Sequence, residues 1–420
     1  MIFNGLPGKS AALGLICALT VLTATGCGET AETGKATTTA ANATAANATA
    51  AKNNAPRGEI VSVTPVLDLD AEQVAARLEK AGIDAAQVRY GVRAHRIVYR
   101  TVDTDQKPTT ASELVTLPKN RDRRLRTVSW LHGTQVHRGE VASVNDESTD
   151  REAALLFAAT GRAASVPDYL GLGEGPGIHP YGHPGATVTA SVDALRAART
   201  FARRDGRDLR RSVHVSGFSQ GGPATMMVGR ALQEGDDPYF RLGALAPVAG
   251  PFDLSGFEAD AADDKLAKSS LYLAYFVTAW NRMYGLYDAP EDAFRAPYAQ
   301  EVETLFDGDH TGEQIAAALP GTSAELFTEE FLDQVRHPTG VLRQKLKALD
   351  TTCDWRPDVP VHLFHARGDG DVAITHAEHC RGQLIDNGAE QQLTDIGEFD
   401  HNTSVRKALP QVVRWFDDAD

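Results

Sequence analysis

Beyond its first 27 residues the chain contains no run of about 20 apolar residues, so no internal segment is expected to cross a membrane. It is also short of positive charge. Its 42 lysines and arginines face 56 aspartates and glutamates, a formal net charge of −14, which argues against nucleic acid as a partner. The arginine clusters at 121–126 and 203–211 are interrupted by acids and read as solvated loop ends. Cysteine is scarce too, Cys17, Cys27, Cys353 and Cys380 being the whole complement. What is present is ordinary for a globular chain: 42% hydrophobic and 23% charged residues, enough to bury a sizeable core. A length of 420 residues exceeds one average domain and suggests a large domain carrying an insertion or cap.

The amino terminus is built differently. Lys9 supplies a positive start, residues 11–22 form an apolar core, and Thr23-Ala24-Thr25-Gly26-Cys27 closes it with small residues before a cysteine. This pattern resembles a bacterial lipoprotein signal, although Ala24 stands where leucine is commoner. The resemblance implies a signal peptide over residues 1–27, lipidation of Cys27 and an exported protein anchored at the outer face of the cell membrane; cleavage and secretion is the alternative. Residues 28–57, rich in Thr, Ala and Asn, read as a flexible tether, and the sequon matches at Asn42 and Asn47 as accidents of low complexity. In an exported chain Cys353 and Cys380 could pair, stapling the segments on either side of a strand near residue 361.

Past the tether, 70–81 has a helical pattern, and 96–101 with 112–117 reads as a β-hairpin. Strands are then expected at 126–131, 163–167, 212–216, 242–248, 359–364 and 391–396, with helices at 150–160, 187–204, 222–233 and 375–387. Such alternation implies an α/β fold with a mostly parallel central sheet and helices on both faces. Residues 256–357 break the rhythm, with helix-like segments at 266–284, 311–318, 323–334 and 340–349 and no convincing strand. They are read as an inserted helical cap between a first core part, 58–255, and a second, 358–420. The aromatic run at 271–280 suits either a substrate cavity or the packing of cap on body.

The chemistry centres on Gly217-Phe218-Ser219-Gln220-Gly221, which follows the β-branched run around Val213 and Val215 and precedes a helical pattern. Strand, glycine-flanked serine and helix in that order describe a nucleophile elbow, whose sharp turn lifts the Ser219 hydroxyl clear of the backbone. A serine hydroxyl is a poor nucleophile and needs an imidazole to take its proton and an acid to orient that imidazole. Downstream, Asp369 lies in the loop after the strand ending near 364, and His401 follows one further helix and strand. Asp371 is a rival acid and Asp400 a weaker one. An oxyanion needs two fixed N–H donors: Gln220, which begins the helix, offers one, and Gly133 or Thr134 in the turn after the strand at 126–131 offers the other.

The chain resembles the α/β-hydrolases of the secretory lipase type, similar to fungal lipase A and its bacterial relatives. The matching stretches are 99–104, 112–118, 130–134, 166–173, 178–181, 193–199 and 217–222, and the triad loops extend the match to about 402. This resemblance implies an α/β-hydrolase fold, serine-dependent hydrolysis of small-molecule or lipid carboxylic esters, no metal or organic cofactor, and Ser219, Asp369 and His401 as the catalytic set. Ala366 and Ala373 depart from the glycine and proline usual around the acid, and Asn402 replaces a frequent glycine. A serine peptidase or amidase of the same fold, or a binding lipoprotein with a silent triad, are the other readings. Gly171 to Gly177 only superficially matches a dinucleotide loop, since Pro176 intervenes and no helix starts there. His376, His379 and Cys380 lack the spacing of a helical zinc site and read as a polar helix start. His179 and Tyr181 suit either a pocket wall or a buried hydrogen-bonded pair.

Overall fold

The computed structural model describes residues 56–419; the expected signal, Cys27 and nearly all of the expected tether lie outside the described residues. The first half of the fold runs β1 (Ile60–Leu69), α1 (Ala71–Lys80), β2 (Val92–Val102), β3 (Pro108–Pro118), β4 (Arg124–Leu131), α2 (Thr149–Ala159), β5 (Ala163–Pro167) and α3 (Pro184–Arg204). It continues with β6 (Asp208–Phe218), α4 (Gly221–Glu234), β7 (Arg241–Val248), α5 (Leu254–Ala262) and α6 (Ser269–Tyr284). Short helical turns then lead to α7 (Glu329–Arg336) and α8 (Gly340–Asp350), before β8 (Val361–His365), α9 (Thr375–Asp386), β9 (Gln391–Asp395) and α10 (His401–Asp418).

All the strands join one nine-stranded sheet in the order β1-β2-β3-β5-β4-β6-β7-β8-β9. The pairs from β1 to β5 along that order are antiparallel and the rest parallel, so the fold is α/β, a mostly parallel sheet with an antiparallel edge. Side-chain alternation sorts the strands into two cores. Leu245 of β7 packs with residues of α3, α4 and α9, whereas its neighbours Ala244 and Ala246 pack with α1, α2 and α10. Each fully buried leucine or valine contributes about 1.5–3 kcal/mol, which is why a slip of one residue is forbidden. The chain runs from β4 outward to β5 and then back across to β6 on the other flank, so the carboxyl ends of β4 and β6 meet at a switch point, the usual place for a ligand crevice.

The cap has its own apolar core, in which Leu273 to Trp280 of α6 pack with Phe294, Phe327 and Phe331. It holds no strand among the described residues beyond a single bridge, Phe294 to Phe327. The disulfide Cys353–Cys380 links the loop before β8 to α9, and no described helix is long and apolar enough to cross a membrane.

Three of the elements named above, β1, α5 and α10, are absent from the sequence reading. Strand β1 carries Pro65 and is half exposed at the sheet edge, so its alternation is weak. Helix α10 contains Pro410, which resembles a terminator yet stays inside the helix, its carbonyl accepting from Gln87. At the end of the segment expected as a tether, Arg57 pairs with buried Asp193 at 2.9 Å.

Candidate active site

Strand β6 delivers Val213 and Val215 to the core and ends at Phe218, one residue before a backbone reversal at Ser219 with φ +56°. For a non-glycine residue this left-handed conformation costs about 1–2 kcal/mol. It is held from both sides: Ser219 N–H donates to Val248 O at 3.0 Å, and Gly222 N–H donates to Ser219 O at 2.8 Å. The flanking glycines are there for space. A Cβ on Gly221 would collide with the Leu131 carbonyl, and one on Gly217 with the carbonyl of Gly221. Helix α4 can therefore start directly against β4, with its amino end beside the serine.

The imidazole and the acid come from the far end of the chain. His401 is the first residue of α10, whose amino cap is Asp400 accepting from Thr403 N–H at 3.0 Å. The loop after β8 turns back on itself, Asp369 N–H donating to Ala366 O at 3.2 Å, so alanine suffices at that position. Asp369 is buried; its Oδ1 accepts from the Asp371 and Val372 N–H groups, both at 2.9 Å, and its Oδ2 lies 2.6 Å from His401 Nδ1. That bond fixes Nδ1 as the protonated nitrogen and leaves Nε2 as an acceptor. The Phe218 ring packs on the imidazole with centroids 4.5 Å apart. Ser219 and His401 line one cavity of about 420 Å³, together with Gly133, Thr134 and Gln135.

The rival acids are engaged elsewhere. Asp371 accepts from Tyr272 Oη and Lys268 Nζ, both at 2.8 Å, and so ties α6 of the cap to the acid loop. Asp400 is spent on the helix cap. His365, under Asp369, points Nε2 at the Val372 carbonyl at 2.8 Å, and burial pushes its pKa below the ordinary value, so it sits there neutral.

The turn after β4 lies against the elbow. A Cβ on Gly133 would stand 3.2 Å from Ser219 Cβ. His132 braces the turn, Nδ1 lying 2.6 Å from Gly133 O and Nε2 3.1 Å from Asp168 O. Among the described residues, no backbone carbonyl accepts from the N–H of Gly133, Thr134 or Gln220, the set expected to face an oxyanion. The Thr134 hydroxyl is bonded to Tyr181 Oη at 2.9 Å, and Tyr181 is stacked on Tyr275 of the cap with centroids 4.2 Å apart.

His179 and Tyr181 divide between the two readings. Tyr181 borders a cavity, whereas His179 is buried, with Nδ1 donating to Leu170 O at 2.8 Å. The aromatic run of α6 also does both: Leu271 and Tyr272 line the cavity that Ser219 and His401 share while Leu273 to Trp280 fill the cap core. His376 accepts from Asp253 N–H, His379 reaches the Asp350 carbonyl, and Cys380 is in the disulfide, so the three point to separate partners. Sequence reasoning missed Lys268 and the bond of Tyr272 to Asp371, because no local pattern joins a cap helix to a loop about 100 residues away.

No family model and no curated protein sequence matches the chain. Solved structures do. A provisionally assigned hydrolase from Legionella pneumophila superposes with a TM-score of 0.80 at 24% identity, covering 86% of this chain and 98% of that one. A single-residue variant of the rice cell wall degrading esterase LipA from Xanthomonas oryzae gives 0.77 at 25% identity, covering 87% and 100%. Candida antarctica lipase A in its closed state gives 0.65 at 15% identity, covering 87% and 82%. By its sheet order, its elbow and these superpositions, the chain has the α/β-hydrolase fold and is similar to lipase A-like hydrolases.

Proposed function

We propose that the protein is a serine carboxylester hydrolase working through an acyl-enzyme on Ser219. The observation that carries this reading is the His401–Asp369 bond of 2.6 Å behind a cavity that His401 shares with a serine held at positive φ. Ser219 Oγ attacks the acyl carbon while its proton passes to His401 Nε2, and Asp369 stabilises the imidazolium. The oxyanion is met by the N–H of Gln220 and of Gly133 or Thr134. His401 returns the proton to the departing alcohol, and water then repeats the attack to release the acid. This chemistry needs no metal or organic cofactor. Similar proteins named as an esterase and a lipase support the ester as substrate.

The protein is proposed to act outside the cytoplasm, either held to the membrane through lipid on Cys27 or secreted; the Cys353–Cys380 disulfide suits an oxidising compartment. A fluorophosphonate probe tests the nucleophile: the wild type labels, and labelling that persists in Ser219→Ala refutes the assignment. A panel of p-nitrophenyl esters beside aminoacyl p-nitroanilides tests the bond cleaved, and faster amide turnover would favour a peptidase. Partition of the exported chain into detergent, abolished by Cys27→Ser, tests the anchor.

A further inference from the structure

The two arginine-rich segments, 121–126 and 203–211, hold nine arginines and three aspartates in a chain of net charge −14. The fold joins them at the amino ends of β4 and β6. Asp208 N–H donates to Arg123 O at 2.8 Å, and Arg207 donates to the carbonyls of Pro118 at 2.6 Å and Asp122 at 3.0 Å. Between the pairs Leu125–Leu209 and Thr127–Val213 the register slips, so a bulge in β6 sets Arg210 and Arg211 across from Arg126. Like charges facing each other across strands repel.

The acids beside them are already engaged. Asp205 pairs with Arg93 at 3.0 Å, Asp208 with Arg199 at 2.9 Å, and Asp122 accepts from Asn120 at 3.0 Å. Arg126 is held by Asp417 of α10 at 3.6 Å. The side chains of Arg123, Arg124 and Arg210 are exposed, and none has a hydrogen bond or ion pair among the described residues. With Arg126, Asp122 and Gly161 these three line one open recess of about 370 Å³. Four guanidinium groups against one carboxylate suit phosphate, which the planar fork binds bidentately.

The place of this recess in the fold says which phosphates. The described residues begin at the same edge, where Pro56 and Arg57 share a neighbouring recess with Arg199, Arg203 and Arg204. Only 28 residues separate Cys27 from Pro56, so lipid on Cys27 would draw this edge toward a bilayer. Ser219 lies at the other end of β6, nine residues beyond Arg210 and roughly 30 Å away at about 3.3 Å per residue.

We propose that this arginine-lined edge docks on the phosphates of an anionic lipid bilayer and holds the catalytic cavity on the side away from the membrane. A basic patch gives an anchored protein a second contact, which fixes its orientation and adds about five-fold in binding per arginine. The ester substrate then arrives from outside rather than from the supporting bilayer. The inference rests on the anchored reading above.

The test is sedimentation of residues 28–420, which contain every described element and lack Cys27, with vesicles of phosphatidylcholine alone or mixed with phosphatidylglycerol. We expect binding to the anionic vesicles only, weakened by salt, and falling about 100-fold in Arg123→Gln/Arg124→Gln/Arg210→Gln. Arg343→Gln/Lys345→Gln/Lys347→Gln, on α8 of the cap, should bind as the unsubstituted form does, with circular dichroism verifying that both triple variants fold. Bound vesicles should leave the turnover of p-nitrophenyl butyrate unchanged. Equal binding to phosphatidylcholine, an equal loss in the cap triple, tighter binding of soluble polyphosphate than of vesicles, or turnover accelerated by vesicles would overturn the docking face. A Cys27→Ser chain that still partitions into detergent would overturn the anchor alone.

Discussion

Replacing Asp369 by asparagine isolates the contribution of the acid without changing its shape. The Asn side-chain oxygen can still accept from the Asp371 and Val372 N–H groups at 2.9 Å, so the loop is expected to hold. The Nδ2 group would then face His401 Nδ1, now 2.6 Å from Oδ2. Two donors cannot face each other, so the imidazole must carry its proton on Nε2, where it can no longer accept from Ser219. The imidazolium formed during attack also loses its counter-charge. At an effective dielectric of about 20, two unit charges about 4 Å apart interact by about 4 kcal/mol, equivalent to about three decades of rate. With the wrong tautomer added, a fall in kcat of about 10⁴ is expected. Hydrolysis of p-nitrophenyl butyrate by Asp369→Asn and Asp371→Asn, compared side by side, is the assay. Asp369→Asn retaining more than a tenth of wild-type kcat, with Asp371→Asn inactive, would refute the reasoning and move the acid to Asp371. A modest loss in Asp371→Asn is expected, because the ties to Lys268 and Tyr272 weaken.

Reducing the Cys353–Cys380 bridge, which spans a sequence separation of 27, should cost about 3–4 kcal/mol and lower Tm by roughly 5 °C, read by calorimetry with and without reductant. Gly221→Ala should abolish soluble folded protein, since its methyl would meet the Leu131 carbonyl; a circular dichroism spectrum matching wild type would contradict the packing of α4 on β4. Burial lowers the pKa of His179 from 6.5 to about 3. The unfolded chain therefore takes a proton first as pH falls below 6.5, and this residue withdraws about 1.4 kcal/mol of stability per pH unit until pH nears 3. His179→Gln should flatten the pH dependence of denaturant midpoints between pH 6 and 4, and an unchanged slope would place the acid sensitivity elsewhere.

The α/β class was legible because parallel strands buried on both faces leave apolar runs that alternate with helical periods, a signal carried by neighbours in sequence. Ser219 was legible for the same reason: strand, glycines and helix are contiguous. Asp369 and His401 followed from chain order, since each stands in a loop after a successive strand. Edge strand β1 and helix α10 were not, because one is half solvated and both contain a proline that local rules read as a break. Asp369 and Asp371 share one loop and one chemistry, so no local pattern separates them. In the tertiary structure one carboxylate faces His401 and the other a cap helix, a difference set by contacts far away in sequence. The same holds for the cavity that Tyr181 borders: Gln220, just before α4, and Glu258, on α5, are 38 positions apart, and only tertiary packing brings both to its wall. Backbone periodicity and chain order are written in neighbouring residues, whereas the direction in which a side chain points is set by contacts with residues that the sequence keeps far away.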